Sequence, residues 1–249
     1  KKLILKKQRL DQILFNRKLV ETKTKAQAMI MAGQVFVEGK QINKCGFNIQ
    51  PNSLIEIRDL GPQWVSRGAI KLIKAIDKNR IKLFNKVCLD LGSSTGGFTD
   101  VLIQRGAAKV YAVDVGTNQL HEKLKNNKKV INIEKTNARY LTKEIVSECI
   151  DVLVCDVSFI SLKKVIEPNL NFLKKNSIII VLIKPQFESK RNEIKKGVVK
   201  DTQTHQRICN DIKEWFQHNC NCKVINVIES PLKGPKGNIE FLLTANYQK

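Results

Sequence analysis

From residue 67 onward, apolar runs alternate with amphipathic stretches. KVCLDLG, KVYAVDVG, VINIE, IDVLVCDV and SIIIVLIK predict five buried strands, and GFTDVLIQRG, SLKKVIEPNLNFLKK and THQRICNDIKEWFQHN predict helices among them. Such alternation is typical of a doubly wound sheet covered by helices on both faces. The last two predicted strands, KVINVIES and GNIEFLLTAN, are joined by PLKGPKG without a helix. They should therefore pair as an antiparallel hairpin at the end of the sheet.

The N-terminal part has a different pattern. RLDQILFNRKLV has nearly helical apolar spacing, and TKTKAQAMIMAG predicts a second helix with Thr22 or Thr24 as N-cap and Gly33 as its end. QVFVEGKQI alternates and turns at Glu38 and Gly39, as a hairpin does. A glycine-proline pair then interrupts the periodicity. The predicted division is a small α+β domain over residues 1–58, a linker over 59–66 and an α/β domain over 67–249.

Composition limits the class of protein. The chain of 249 residues has a formal net charge of +21, which favours a polyanionic partner, with nucleic acid first and an anionic membrane surface second. An A/T-rich genome also favours lysine codons, which could produce part of this charge. Seven cysteines in no framework spacing fit a reducing compartment, and Cys220 and Cys222 lack a matching second pair, so we expect a cytosolic protein without a metal site.

The segment VCLDLGSSTGGFTD combines a strand, a glycine-rich turn and a helix start. Its glycines allow close approach of backbone to a ligand, and it resembles the loop that cradles the methionine part of S-adenosylmethionine. Asp114 ends the next strand, where a carboxylate can accept hydrogen bonds from both hydroxyls of a ribose; the structural alternative is a helix N-cap. Asn137 ends the strand after that and could contact the adenine; the structural alternative is a turn residue. The predicted cofactor-binding residues are Gly92, Ser94, Gly96, Gly97, Phe98, Asp114, Val115 and Asn137.

Charged residues also end the buried strands. Asp156 closes DVLVCD and Lys184 closes IIIVLIK, and the carboxyl ends of neighbouring parallel strands form one crevice. Lys71 begins a helix before the first strand, and Glu240 lies within an apolar strand, where a carboxylate needs a partner. The four could form a structural ion-pair network. Alternatively, an ammonium such as that of Lys184 could hold and activate a ribose 2'-hydroxyl.

These motifs together carry a family resemblance. VSRGAIKL, DLGSSTGGFTD, TNAR, DVSFISL, IKPQFE and SPLKGPKGNIEF lie behind Arg9-Leu10-Asp11 and a Gly-x-Val-x-Val-x-Gly hairpin that resemble the S4 RNA-binding fold. The chain is identified as a member of the TlyA, or hemolysin A, family of ribosomal RNA cytidine 2'-O-methyltransferases. The resemblance implies a class I, Rossmann-like methyltransferase sheet of FtsJ type, S-adenosylmethionine as cofactor, and Lys71, Asp156, Lys184 and Glu240 as the catalytic tetrad.

The resemblance also implies partners. Cytidine would be methylated on assembled ribosomal subunits, with the 50S subunit favoured and the 30S subunit possible, by a cytoplasmic monomer without a membrane partner. Arg9, Lys23, Phe159 and Arg191 are the predicted RNA-binding residues. One departure is Pro62, which stands where some members of the family carry an arginine in the linker.

Two functions of other classes remain open from the sequence. A membrane-damaging hemolysin is one, although no apolar stretch is long enough to span a bilayer and no long amphipathic helix lies outside the predicted core. An RNA-binding or ribosome assembly factor with an inert methyltransferase fold is the other, and measured binding of S-adenosylmethionine would separate it from an enzyme.

Overall fold

The computed structural model describes residues 7–31, 33–58 and 64–249. The chain divides into two compact units between residues 63 and 64. The predicted linker lies for its first five positions, residues 59–63, outside the described residues, and Pro62 is among these.

The N-terminal unit joins two helices to short antiparallel strands. Thr22 Oγ1 accepts a hydrogen bond from the backbone N–H of Lys25 at 3.1 Å, so Thr22 rather than Thr24 caps the second helix. Gly33 follows that helix with φ +72°, as a terminating glycine does. The elements are β1 (Gln8–Arg9), α1 (Leu10–Asn16), α2 (Lys23–Met31), β2 (Val35–Val37), β3 (Lys40–Gln41), β4 (Asn48–Ile49) and β5 (Ile55–Ile57).

Apolar residues from both helices, the loop between them and the strands β2 and β4 form the core of this unit. The predicted hairpin is confirmed, because β2 pairs with β3 through a turn at Glu38 and Gly39, and β5 pairs on the other side of β2. β1 pairs with β4 in a separate two-stranded sheet. The buried core residues are Leu10, Ile13, Leu14, Val20, Ala26, Ile30, Val35, Val37 and Ile49.

The larger unit is a seven-stranded sheet with helices on both faces, which confirms the predicted fold class. Its helices are α3 (Ala69–Asn79), α4 (Gly97–Gln104), α5 (Glu122–Lys125), α6 (Leu162–Asn169), α7 (Pro185–Glu188) and α8 (Thr202–Asn219). Its strands are β6 (Val87–Leu91), β7 (Lys109–Val113), β8 (Val130–Ile133), β9 (Ile150–Cys155), β10 (Leu173–Ile183), β11 (Cys222–Glu229) and β12 (Phe241–Tyr247).

The strand order places a crevice next to β6. The order is β11-β12-β10-β9-β6-β7-β8, with parallel pairs from β10 to β8. β12 runs antiparallel to both β10 and β11, which confirms the predicted final hairpin. Because the chain leads from β6 to β7 on one side and from β9 to β10 on the other, the adjacent carboxyl ends of β6 and β9 form the topological switch point, where ligands bind in such sheets.

Burial on both sheet faces explains the apolar strands. Leu89 of β6 packs in a core with α6 and α8, whereas the adjacent Cys88 packs in a core with α3 and α4. A strand buried on both faces needs apolar residues at successive positions.

One predicted helix is too long. SLKKVIEPNLNFLKK was predicted as helical throughout, but α6 ends at Asn169, a 3₁₀ turn follows, and β10 already begins at Leu173. The exposed residues before Ser177 belong to the strand, whose pairing with β9 shifts register between Leu173 and Ile178. Because the LKKN segment is mostly polar and its pairing is irregular, hydrophobic periodicity does not predict that the strand begins there.

Candidate active site

A cavity of about 200 Å³ lies at the carboxyl end of β6, where the sheet topology predicts a ligand site. Four of the predicted cofactor residues line it, namely Gly92, Ser94, Gly97 and Phe98. Asp156 and Lys184 of the predicted tetrad line it as well. Five further lining residues were not predicted: Ser66, Gly68, Ser93, Thr95 and Ser158.

The glycine loop is tightly curled. Gly92, Ser94 and Gly96 all adopt positive φ, at +81°, +48° and +96°. A Cβ at Gly92 would lie 2.7 Å from the backbone oxygen of Asp156, so a larger residue cannot fit between the two loops. Gly96 serves a packing purpose and does not line the cavity, since its Cβ would overlap the side chain of Leu124.

The segment before α3 forms another wall of the cavity. The backbone N–H of Val65 donates to Oδ2 of the buried Asp100 at 3.0 Å. The neighbouring Ser66 lies against the glycine loop, where its Oγ would be 2.3 Å from a Cβ at Gly97. Asp100 therefore fixes the segment that contributes Ser66 to the cavity. The signal in the sequence was the polar Ser-Arg-Gly run directly before an amphipathic helix.

Asp114 is held rigidly beside the loop. Its Oδ2 accepts from the backbone N–H of Ser94 at 2.8 Å, and its Oδ1 accepts from that of Gly116 at 2.7 Å. A carboxylate has about four acceptor positions, so two remain for hydroxyl groups. Val115 follows with an exposed apolar side chain. The side-chain oxygen of Asn137 caps the turn at Ala138–Tyr140 by accepting from Arg139, as the structural alternative had it, which leaves its amide N–H groups as donors.

A second carboxylate supports the loop from beneath. Asp90 is fully buried, and Thr99 donates its hydroxyl to Asp90 Oδ2 at 2.6 Å. Its Oδ1 is buried and accepts no hydrogen bond from the described residues. Burial, with the nearby charges of Asp156 and Asp114 as lesser causes, raises the pKa of Asp90 to about 7.

The four predicted catalytic residues form two ion pairs. Lys184 Nζ lies 2.6 Å from Asp156 Oδ1 and also donates to Ser158 Oγ at 2.9 Å. Lys71 Nζ lies 2.6 Å from Glu240 Oε2. Ile183 and Phe241 are register partners in the antiparallel ladder, so Lys184, directly after Ile183, and Glu240, directly before Phe241, lie at the same end of the sheet.

The Lys71–Glu240 pair is nearly dry. Glu240 is 1% exposed, and its Oε1 accepts no hydrogen bond from the described residues. Gly234 makes room for it, since a Cβ there would lie 2.0 Å from Oε1. A buried carboxylate with an unused acceptor beside an ammonium is costly as pure structure and has the capacity to bind a donor.

The predicted RNA-facing residues of the larger unit are accessible. Phe159 is 90% exposed at φ +63°, and its ring lies 5.0 Å from that of Phe187, a residue that sequence reasoning missed. Arg191 is exposed in a 3₁₀ turn. A bulky residue held outward with positive φ is uncommon and is characteristic of functional loops.

The loop after α7, residues 189–200, is fastened to its surroundings. Asn238 is buried, accepts from the backbone N–H of Val199 at 3.2 Å and donates to the oxygen of Gly197 at 2.9 Å. Arg207 of α8 forms an ion pair with Glu193 at 2.7 Å. The loop therefore has a defined conformation at both its middle and its end.

In the N-terminal unit the two predicted RNA-binding residues differ in their surroundings. The guanidinium of Arg9 makes a bidentate pair with Asp11, at 3.0 and 2.7 Å, and this pairing lowers the pKa of Asp11 to about 2. Gln27 also donates to Asp11, so the Arg-Leu-Asp motif fastens α1 to α2. Lys23 is exposed in the first turn of α2 and forms no ion pair among the described residues.

Two features are absent from the described residues. No helix there is long and apolar enough to cross a membrane. Residues 7–31, 33–58 and 64–249 also hold no group of three or more His, Cys, Asp or Glu side chains placed to bind a metal ion.

Comparison with known proteins places these features in a family. The FtsJ-like methyltransferase model matches residues 64–247, and the S4 domain model matches residues 8–55. The chain is 42% identical to hemolysin A of Brachyspira hyodysenteriae, over 94% of this chain and 98% of the relative. It is 38% identical to the 16S/23S rRNA (cytidine-2'-O)-methyltransferase TlyA of Mycobacterium tuberculosis, over 94% and 88%.

A further relative is the 23S rRNA (cytidine-2'-O)-methyltransferase TlyA of Campylobacter jejuni, 35% identical over 91% of this chain and 94% of the relative. The three alignments each cover nearly the whole of both proteins, and both family models fall on the two structural units. The chain therefore belongs to the TlyA, or hemolysin A, family, in which an S4 domain precedes an FtsJ-like methyltransferase domain.

Proposed function

We propose that the protein uses S-adenosylmethionine to methylate the ribose 2'-hydroxyl of cytidine in ribosomal RNA, 23S, 16S or both, on assembled subunits. One observation carries the proposal: the Lys184–Asp156 ion pair stands on the wall of the cavity that the glycine loop encloses. A paired ammonium beside a cofactor loop suits activation of a weak nucleophile. The names of the Mycobacterium and Campylobacter relatives support cytidine 2'-hydroxyl as the acceptor.

The residues present fit S-adenosylmethionine, which when bound supplies a methyl group on a positively charged sulfur. Gly92, Ser94, Gly97 and Phe98 would hold the methionine part, and Gly96 would contribute through the left-handed turn of the same loop. The free acceptor positions of Asp114 suit the two ribose hydroxyls. The exposed apolar face of Val115 and the amide of Asn137 would meet the adenine.

The tetrad would prepare the acceptor. Lys184 would bind the 2'-oxygen of the ribose and favour loss of its proton to water or a base, while Asp156 keeps the ammonium in place. Lys71 and Glu240 would position the ribose, with the unused Oε1 of Glu240 as a hydrogen-bond acceptor. The 2'-oxygen would then form a bond to the methyl group as the bond between that methyl and the sulfonium sulfur breaks, which leaves a neutral thioether, and one proton would leave the site for each transfer.

The RNA would contact both units. Phe159 would stack on a base and Arg191 would meet phosphate, while Arg9 and Lys23 of the S4 domain would help dock on the RNA. The high positive charge supports this partner. We favour the 50S subunit as substrate, with the protein acting as a monomer, and a ribosomal substrate would place it in the cytoplasm.

The test is transfer of labelled methyl from S-adenosylmethionine to purified 30S and 50S subunits, with the product nucleoside identified. Wild type should yield 2'-O-methylcytidine on at least one subunit, and Lys184→Ala should not. Calorimetry must show that the variant still binds S-adenosylmethionine. Cofactor binding without transfer to either subunit by wild type would refute the proposal and favour an RNA-binding or assembly factor.

The name of the Brachyspira relative makes membrane damage the competing function. Leakage of dye from liposomes, measured with purified protein and with a matched preparation from cells lacking the gene, separates the two. Leakage caused by the protein alone would support that second function.

A further inference from the structure

The residues after Lys184 fold back onto the loop that carries Asp156. α7 ends at Glu188, whose Oε1 accepts from the backbone N–H of Leu162 at 2.7 Å. Its Oε2 accepts from the hydroxyl of Ser161 at 2.7 Å. Ser161 and Leu162 begin α6, the helix that follows the Asp156 loop. The carboxylate of Glu188, at the end of the segment that begins with Lys184, thus caps α6, the helix at the end of the segment that begins with Asp156.

Ser161 shows that the carboxylate does more than cap a helix. Serine at the N-cap position ordinarily accepts a hydrogen bond from its own helix. Ser161 occupies that position in α6 but makes no such bond, and donates instead to Glu188. The chain therefore has a local capping residue in place and uses a distant acid, which ties the two segments together.

The two segments touch at several points. Lys184 contacts Asp156 and Ser158, and the ring of Phe187 packs on that of Phe159. Each of these contacts includes a residue that the proposed function places at the ribose, namely Lys184 or Asp156, or at the RNA, namely Phe159. The bonds of Glu188 lie at the far end of the loop and leave the groups that would meet substrate free to do so.

The loop between β9 and α6 needs such an anchor. It holds Phe159 at φ +63°, a strained conformation for a bulky residue that persists only where neighbouring contacts enforce it. β9 fixes the start of the loop, and Glu188 fixes its end. Without Glu188, the loop would keep the backbone bond from Asp156 to Leu91 at 3.0 Å and the ring contact of Phe159 with Phe187, and neither of these holds its end at Ser161.

We infer that Glu188 is a positioning residue for methyl transfer, holding the loop of residues 156–161 in register with Lys184 without touching the substrate. This inference rests on the proposed function. A misplacement of about 1 Å at such a site can cost on the order of 100-fold in rate.

The experiment compares Glu188→Ala and Glu188→Gln with wild type and with Glu167→Ala, which removes an exposed acid near the other end of α6. Methyl transfer kinetics on the subunit that wild type labels, calorimetric affinity for S-adenosylmethionine and melting temperature are measured for each. Hydrogen exchange of the peptide covering residues 156–162 gives a readout that is independent of activity.

Glu188→Ala should lower kcat by about 10- to 100-fold. KM for the subunit and the affinity for S-adenosylmethionine should stay within about twofold, and exchange in the 156–162 peptide should accelerate. The melting temperature should change little, since Ser161 can turn to cap α6 itself. Glu188→Gln keeps an acceptor for Leu162 and a donor for Ser161, so it should recover most of the rate, and Glu167→Ala should match wild type.

Three results would overturn the inference: wild-type kcat in Glu188→Ala, equal losses in the alanine and glutamine variants, or a rate that falls in parallel with cofactor affinity and melting temperature. If Glu188→Ala does not fold, Ser161→Ala removes one of the two bonds and takes its place in the same comparison. If wild type labels neither subunit, the proposed function fails, and unchanged exchange in the variant would then separately reject the anchoring role of Glu188.

Discussion

The backbone N–H of Val65 donates a hydrogen bond to the buried carboxylate of Asp100, 3.0 Å away. The bond joins the first residues of the methyltransferase unit to the helix that follows the glycine loop. Since Ser66 lines the cavity at the glycine loop, the bond links the position of this segment to the proposed cofactor site.

Asp100→Ala should therefore weaken binding of S-adenosylmethionine. Loss of a hydrogen bond to a buried charged group costs about 1.5–3 kcal/mol, so the dissociation constant should rise by at most roughly 10- to 150-fold in calorimetry. Asp100→Asn keeps an acceptor for Val65 and should bind more tightly than the alanine variant. Equal affinity of wild type and Asp100→Ala would contradict the link.

The Lys71–Glu240 pair can be separated into structural and catalytic parts. Lys71→Met leaves the buried Glu240 carboxylate without its cation, and breaking such a pair costs about 3–5 kcal/mol of unfolding free energy. Lys71→Met with Glu240→Gln should recover much of that stability, because neither partner then carries a buried charge.

Methyl transfer should stay low in the double variant even though stability returns. Denaturant unfolding and methyl transfer to the labelled subunit, measured on the same preparations, check both halves. Full activity in the double variant would mean that the pair is structural only.

Gly92 should tolerate no side chain. Gly92→Ala brings a Cβ to 2.7 Å from the backbone oxygen of Asp156, at φ +81°. Gly237→Ala is a matched control, since Gly237 has φ +82° and an added Cβ there meets nothing within 4 Å. Both variants carry the left-handed strain of about 1–2 kcal/mol.

Only Gly92→Ala should also displace the Asp156 loop, and so reduce cofactor binding and methyl transfer by at least tenfold. Calorimetry and transfer assays on the two variants make the comparison. Indistinguishable variants would show that backbone strain alone matters at Gly92.

Asp90 should make stability fall as pH rises. Its pKa is raised to about 7 in the folded state, above the ordinary carboxyl value, so the folded protein keeps a proton that the unfolded chain releases. Between about pH 4 and 7 the unfolding free energy should fall by at most roughly 1.4 kcal/mol per pH unit from this group. Asp90→Asn has no titrating group at position 90, so its unfolding free energy should rise relative to that of wild type as pH increases over the same window.

Urea unfolding at several values between pH 5 and 7.5 tests this. Trp64 and Trp215 both lie in the larger unit, so tryptophan fluorescence follows the unit that contains Asp90. Parallel pH profiles for wild type and Asp90→Asn would show that Asp90 is ionised in the folded protein.

Phe159 should affect recognition of the RNA but not stability or cofactor binding. Its side chain is almost fully exposed, so Phe159→Ala should leave the melting temperature and the affinity for S-adenosylmethionine near wild type. Loss of one base-stacking contact is worth about 1–3 kcal/mol, so kcat/KM for the subunit should fall by roughly 5- to 150-fold. A variant that methylates subunits at the wild-type rate would remove Phe159 from the RNA surface.

The sequence was sufficient for features that depend on burial along one strand. Asp156 and Lys184 end apolar strands, and neighbouring strand ends in a parallel sheet must meet, so their proximity could be predicted. Glu240 stood out because an acid inside an apolar run requires a partner, which proved to be Lys71.

Other features depend on how loops meet, which periodicity does not encode. Glu188 and Leu162 are 26 positions apart and belong to different helices, so nothing in either segment signals their bond. Ser66 lines the cavity beside Val65, whose backbone N–H donates to Asp100, 35 positions further along the chain. The early start of β10 at Leu173 was missed because pairing with β9, and not an apolar pattern, determines it.

The loop of residues 189–200 has one more consequence. Its chain is already ordered by Asn238 and by the Arg207–Glu193 pair, so the conformational entropy of this segment is lost during folding and not on association. A partner that binds there should meet a preorganised surface. Binding should then show a small change in heat capacity and a high association rate constant, which decreases as salt is added.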